Sequence, residues 1–140
     1  MGRTSPKFTT EAEARRSFRA LECGPEPDLT SLLDLGRVEI DNGWVALARD
    51  VFTRGAGACT AQTADDLVIG FIVGIATVLQ AEGEHARAIE LLEDMLRSAR
   101  AHVPDLEHAV RLHIAVSLLT LGDTPSAAEQ LVAIEVFAAG

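Results

Sequence analysis

The chain has few residues of the types that mark β-rich proteins. It has no tyrosine and a single tryptophan, Trp44, and aromatic residues make up 4% of its 140 residues. Runs of aromatic and β-branched residues, which favour strands, are also missing. Hydrophobic residues nevertheless make up 48% of the sequence, and a chain of this length can bury one substantial core. These absences favour an all-α protein with an aliphatic core.

Cysteines and long hydrophobic segments are scarce as well. Cys23 and Cys59 are the only cysteines and no CxxC pair occurs, so the sequence offers no disulfide framework. The longest stretch without charge runs from Leu67 to Ala81 and has 15 residues, whereas a membrane-spanning helix needs about 20. The first residues also lack the apolar segment of a signal peptide. We therefore expect a cytoplasmic protein that has no membrane partner.

The charge is unevenly distributed. The net charge is −9, but residues 1–19 hold five basic and two acidic residues, a balance of +3. The remaining residues therefore carry −12. An acidic body of this kind repels phosphate backbones, so we expect no nucleic-acid partner.

One pattern recurs three times along the chain. A small residue is followed by a glycine seven positions later, an alanine five after that, and a large apolar residue four further on. The copies are Gly36–Gly43–Ala48–Phe52, Ala76–Gly83–Ala88–Leu92 and Ala115–Gly122–Ala127–Leu131, spaced by 40 and then 39 residues. A fixed period of this size indicates stacked helical hairpins, with the glycine at each turn.

Local signals predict where the helices begin and end. We expect a disordered lead over residues 1–8, a short basic helix over 10–22, and a linker containing Pro25 and Pro27, so that residues 1–27 precede a repeat domain over 28–140. The expected repeat helices span residues 28–42, 44–54, 63–81, 84–100, 104–121 and 124–138. Gly55 and Gly57 are expected to end the second of these, and Thr124 to cap the last.

Two stretches carry a family resemblance. Residues 81–92, with the sequence AEGEHARAIELL, and residues 121–131, with the sequence LGDTPSAAEQL, resemble the tetratricopeptide repeat superfamily, in particular its variants with periods near 40 residues. The resemblance implies an all-α, TPR-like α-solenoid of three helical hairpins with one short leading N-terminal helix, which works by binding another protein. The first copy departs from the family pattern, because Glu39 stands where a large aromatic residue is usual; Leu79 and Leu118 fill that position in the other copies.

The helix expected over residues 63–81 is apolar around its whole circumference. Either core packing demands this, or a second copy or a client helix covers its exposed side. Its Gly70 and Gly74 indicate either close packing inside the stack or a dimer contact. We expect a partner to contact the inner helices at Leu35, Glu39, Ile72, Leu79, Arg111 and Leu118. The residues expected in the core are Trp44, Ala48, Phe52, Ala88, Leu92, Ala127 and Leu131.

No sequence motif of catalysis is present. The sequence lacks GxSxG, HExxH and a glycine-rich phosphate-binding loop, so we expect no enzymatic activity, no cofactor and no metal. The leading hypothesis is a protein-interaction module or scaffold that binds another protein or itself. A second is a small bacterial chaperone resembling the tetratricopeptide chaperones of type III secretion. A third, of another class, is a helical enzyme or ligand binder that uses His102, Asp105 and His108.

Overall fold

A computed structural model describes residues 8, 10–23, 26–98 and 104–139, and within these ranges the chain forms seven α-helices and no strand. The helices are α1 (Glu11–Glu22), α2 (Leu29–Asp41), α3 (Val45–Ala58), α4 (Asp65–Ala81), α5 (His85–Leu96), α6 (Pro104–Thr120) and α7 (Thr124–Ala139). The expected all-α class is confirmed. Apart from residue 8, the expected disordered lead lies outside the described residues.

The chain divides into two compact units, Met1–Gly74 and Ile75–Gly140, and the boundary falls inside α4. In the first unit α2 packs against α1 and α3, and in the second α6 packs against α5 and α7. A division at residue 27 stays a prediction. None of the described helices combines the length and apolar character needed to cross a membrane.

Side-chain caps fix the beginnings of three helices. Thr10 Oγ1 accepts a hydrogen bond from the amide of Glu13 at 3.2 Å, and Asp28 Oδ1 accepts one from the amide of Ser31 at 3.1 Å. At α7 the cap is Asp123, whose Oδ1 accepts the amide of Ser126 at 3.2 Å. Each of these bonds satisfies an amide that has no partner inside its helix. The expected cap at Thr124 is therefore one residue too late.

Three hairpin turns share one hydrogen-bonding pattern. Their glycines, Gly43, Gly83 and Gly122, have φ of 80°, 80° and 85°, in the left-handed region that favours glycine. In each turn the amide after the glycine donates to a carbonyl five residues back, as from Trp44 to Glu39 at 2.9 Å. The glycine amide itself donates three residues back. This is the Schellman ending of a helix. The repeated glycine is thus a turn residue in all three copies.

Helix α3 is longer than expected, because it continues through both of its glycines to Ala58. Gly55 is buried against the ring of Phe71, and a Cβ at this position would overlap that ring. The glycine therefore permits a close approach of α4 and does not end the helix. The predicted end near Arg54 was wrong.

The first unit is built around Phe52, which is 1% exposed. Its ring lies against Gly36 of α2 and Gly74 of α4; a Cβ at Gly74 would be 2.7 Å from its Cδ1. A Cβ at Gly70 would likewise be 2.7 Å from Cδ2 of Leu33. The two glycines of α4 therefore serve close packing within the chain, which was one of the two interpretations of their spacing.

The second unit buries most of its repeat positions. The fully enclosed side chains include Ala76, Ala88, Leu92, Ala115 and Ala127. Leu131, by contrast, is 41% exposed. Its predicted place in the core was wrong, and Trp44 in the first unit is only half-buried.

Candidate protein-binding surfaces

The six residues predicted to contact a partner are divided between the two units. In the first unit Leu35 is 1% exposed and Glu39 is 0% exposed. Neither presents surface to a partner in this conformation, because both lie inside the helix packing of their own unit. Ile72 is half-buried on α4.

In the second unit Leu79 and Leu118 are half-buried and Arg111 is engaged within the chain. The Arg111 Nε and Nη2 atoms donate to Glu107 Oε1 at 3.2 and 2.9 Å, and Nη1 donates to Gln130 Oε1 at 2.9 Å. Arg111 therefore joins α6 to α7. Its expected role as a partner contact stays a prediction, and a partner would have to compete with these bonds.

Exposed apolar side chains occur at a place that the sequence analysis did not single out. Leu112, Val116 and Leu119 lie at helical spacing on one face of α6 and are 51%, 46% and 51% exposed. The α6–α7 apolar surface, as we call it, consists of these three residues together with Leu121, Leu131 and Val132. No charged side chain interrupts the α6 part between Leu112 and Leu119 on this face. Contiguous exposed apolar residues, such as the three on this face of α6, are typical of sites that bind another protein.

Helix α4 was expected either to be apolar because of core packing or to have an exposed side that a second copy or a client helix covers. None of its side chains from Leu67 to Leu79 is exposed. Ile69, Phe71 and Val78 are buried, and Val68, Ile72 and Val73 are half-buried. Its apolar circumference therefore reflects core packing. The sequence shows the helical spacing of Leu112, Val116 and Leu119. It does not show which face of α6 is enclosed, because other apolar residues of α6 lie between these three.

Glu39 is the most unusual side chain of the first unit. Both of its carboxyl oxygens are buried, and neither has a hydrogen-bond partner among the described residues. Burial raises the pKa of Glu39 from 4.5 to about 8; Arg15 lowers it, whereas Asp50 and Glu11 raise it further. The carboxyl is therefore mostly neutral at pH 7. Buried groups of this kind are candidates for a functional role.

A buried polar cluster lies in the second unit around Ser117, which is 0% exposed. Gln80 Nε2 donates to Ser117 Oγ at 2.7 Å and to the carbonyl of His113 at 3.0 Å, and His85 Nδ1 lies 3.4 Å from Ser117 Oγ. Burial lowers the pKa of the His113 imidazole. Because Ser117 has no exposed surface, this arrangement satisfies a buried hydroxyl and links α4 to α6 without presenting a nucleophile to a substrate.

The residues of the ligand-binder hypothesis are only partly described. Asp105 is exposed and His108 is half-buried at the start of α6, whereas His102 lies outside the described residues. Within the described ranges, no group of three or more His, Cys, Asp or Glu side chains is arranged to hold a metal ion. Cys23 is exposed, and Cys59 Sγ lies 3.4 Å from the carbonyl of Gly55.

Comparison with known proteins gives no match: no family model, no curated protein and no solved structure is significantly similar to this chain.

Proposed function

We propose that this chain is a protein-binding module of the TPR-like helical-repeat class. It buries an apolar or amphipathic helical segment, from a partner protein or a second copy, against the α6–α7 apolar surface. The observation that carries the proposal is the exposure of Leu112, Val116 and Leu119 along one face of α6, each near half of its surface. Fully burying an exposed side chain of this size is worth about 1.5–3 kcal/mol, so covering the exposed half of each is worth about half as much.

Repeat geometry supports this assignment. Phe52 and Leu92 hold the fourth position of the first two copies and are 1% and 0% exposed. A following helix is near each of them: Gly74 of α4 lies against Phe52, and α6 packs against α5. Leu131 holds the same position in the third copy and is 41% exposed. An added helix on α7 would cover it in the same way, as repeats need their neighbours or a cap.

A chaperone for a hydrophobic client is the second candidate, and the same exposed leucines favour it. It differs from a scaffold in how the isolated chain behaves. A chaperone surface that lacks its client promotes aggregation, whereas a scaffold that pairs with a second copy gives a defined dimer.

The test is light scattering after size exclusion, over a concentration series, of the wild-type chain and of the double variant Leu112→Ser/Leu119→Ser. The control is Ala46→Ser, at an exposed position of α3 in the first unit. We expect the wild type to associate as its concentration rises, the control to behave alike, and the double variant to stay monomeric. A clean dimer favours the scaffold, and open-ended aggregation favours the chaperone. A wild-type monomer at every concentration that also binds no hydrophobic dye would contradict the proposal.

A further inference from the structure

Helix α1 covers one particular side of α2. Leu33 of α2 faces Gly70 of α4. At 100° per residue, Leu35 and Glu39 lie around the helix on the side away from that contact. Both are enclosed, α1 packs against α2, and Ala14 of α1 is 0% exposed. Arg15 and Glu11 of α1 act electrostatically on Glu39, so α1 lies beside the α2 cleft, as we call the side of α2 bearing Leu35 and Glu39.

Helix α1 leaves the buried carboxyl group of the cleft without a hydrogen-bond partner. Both carboxyl oxygens of Glu39 lack a hydrogen-bond partner among the described residues. The charged groups that face it are Arg15 and Glu11 from α1 and Asp50 from α3. Arg15 Nη2 donates to Glu11 Oε1 at 3.0 Å. Helix α1 thus places the Arg15 cation near Glu39, but Arg15 donates a hydrogen bond to Glu11 of the same helix.

Helix α1 is also weakly attached to the rest of the first unit. Ala14 is its one fully buried residue within the described part of the chain. Twelve residues are too few for a stable isolated helix, so α1 stays helical through its packing. An ion pair of Glu22 and Arg54 at 3.3 Å joins α1 to α3, and this pair is exposed and therefore weak.

We propose that α1 is a displaceable helix that occupies, within its own chain, a helix-binding cleft on α2. The occupant that this cleft fits better is a helix of a partner protein that directs a lysine or arginine at Glu39. Charge complementarity selects that chemistry, since a buried carboxyl without a partner is satisfied by a cationic donor. The cleft belongs to the first unit and does not depend on the α6–α7 apolar surface.

Such binding has a distinctive pH dependence. Glu39 holds its proton up to a pKa of about 8 in the free chain. Pairing with a cation requires the ionised form, so binding releases a proton. Affinity then rises by up to about tenfold per pH unit below pH 8 and levels off above it. A helix held only by apolar contacts would show no such slope.

The test uses a fluorescent synthetic peptide of residues 9–23 that carries Glu11→Gln, so that its Arg15 is released from its own carboxylate. The host is the full chain with Ala14→Asp, which places a charge at a buried position and loosens the resident α1. By fluorescence anisotropy we expect this host to bind the peptide at least tenfold more tightly than the wild-type chain does. The pH slope is measured with the wild-type chain, whose Glu39 is enclosed and protonated: its affinity for the peptide should rise between pH 6.5 and 8. The slope should disappear in the Glu39→Gln chain, and the peptide with Glu11 retained should bind more weakly.

Equal binding to the wild-type and Ala14→Asp hosts, or an unchanged slope after Glu39→Gln, would overturn the proposal. If the Ala14→Asp chain does not fold, hydrogen exchange of the wild-type chain decides. We expect protection factors in α1 at least tenfold below those in α2, falling further from pH 7 to 9 in the wild type but not in Glu39→Gln. Joint exchange of α1 and α2 at every pH would refute displacement. A dimer of the wild-type chain that Glu39→Gln abolishes would assign the cleft to the α1 of a second copy and reject a foreign partner.

Discussion

Phe52 and Leu131 hold the same position in the first and third copies of the repeat, yet Phe52 is 1% exposed and Leu131 is 41% exposed. The difference lies in what surrounds them. Gly74 of α4 lies against the ring of Phe52, whereas no described helix encloses Leu131. The repeat pattern thus specifies an apolar residue, and the neighbouring helix determines whether that residue belongs to the core or to a binding surface.

Truncating the fourth repeat position should therefore lower stability much more in the second copy than in the third. Leu92→Ala removes a fully buried side chain and should lower the free energy of unfolding by about 2–5 kcal/mol. Leu131→Ala should lower it by less than about 1 kcal/mol, because much of that side chain is already in water. Urea denaturation followed by circular dichroism measures both. Equal losses would mean that Leu131 is enclosed in solution.

The ionisation of Glu39 should make stability depend on pH. The pKa of Glu39 is about 8 in the folded chain and near its ordinary 4.5 when unfolded. The folded state therefore binds the proton more tightly. Below pH 4.5 the carboxyl is protonated in both states, so its ionisation imposes no penalty. Between pH 4.5 and 8 the free energy of unfolding should fall by about 1.4 kcal/mol per pH unit from this group, with no further loss above pH 8.

Two substitutions separate this effect from other titrations. Glu39→Gln keeps the shape but cannot ionise, so its stability should lose that slope and exceed the wild type above pH 8. Glu39→Leu also removes the unpartnered polar atoms and should be more stable than wild type at pH 7. Urea unfolding at pH 5, 6, 7 and 8 provides the comparison. Parallel pH profiles for wild type and Glu39→Gln would show that Glu39 is solvated.

Gly55 and Gly57 offer a matched pair in one helix. A Cβ at Gly55 would overlap the ring of Phe71, whereas a Cβ at Gly57 meets nothing within 4 Å. Gly55→Ala should therefore cost about 1–3 kcal/mol through overpacking. Gly57→Ala should gain up to about 1 kcal/mol, because alanine restricts the unfolded chain and favours helix. Thermal unfolding of both variants distinguishes them, and stabilisation by Gly55→Ala would place Phe71 elsewhere.

Local chemistry was enough to predict the helix class and the hairpin turns. Gly43, Gly83 and Gly122 adopt left-handed backbone where the pattern placed them. These features depend on a few consecutive residues, which the sequence displays directly. The tetratricopeptide-like stack itself stays a proposal, since it depends on how successive hairpins associate.

Features that depend on distant neighbours were not predictable in the same way. The continuation of α3 beyond Arg54 requires the ring of Phe71 beside Gly55, and nothing near Gly55 in the sequence reveals that contact. The enclosure of Glu39 depends on the helices that pack on α2, which are α1 and α3. A charged residue is normally expected at the surface, so Glu39 was assigned to an open groove. The α6–α7 apolar surface was missed because exposure depends on which helices are adjacent.

Adjacent alanines on α7 test whether the third hairpin packs as the other two do. Ala127 is 1% exposed and holds the alanine position of the repeat, whereas Ala128 is exposed. Ala127→Leu must push α7 away from its neighbour and should cost about 1–3 kcal/mol. Ala128→Leu adds the same atoms toward solvent and should change the free energy of unfolding by less than about 0.5 kcal/mol. Chemical denaturation of the two variants gives this difference. If Ala127→Leu kept the wild-type stability, α6 and α7 would not be in close contact at this position, and the repeat assignment of the third hairpin would fail.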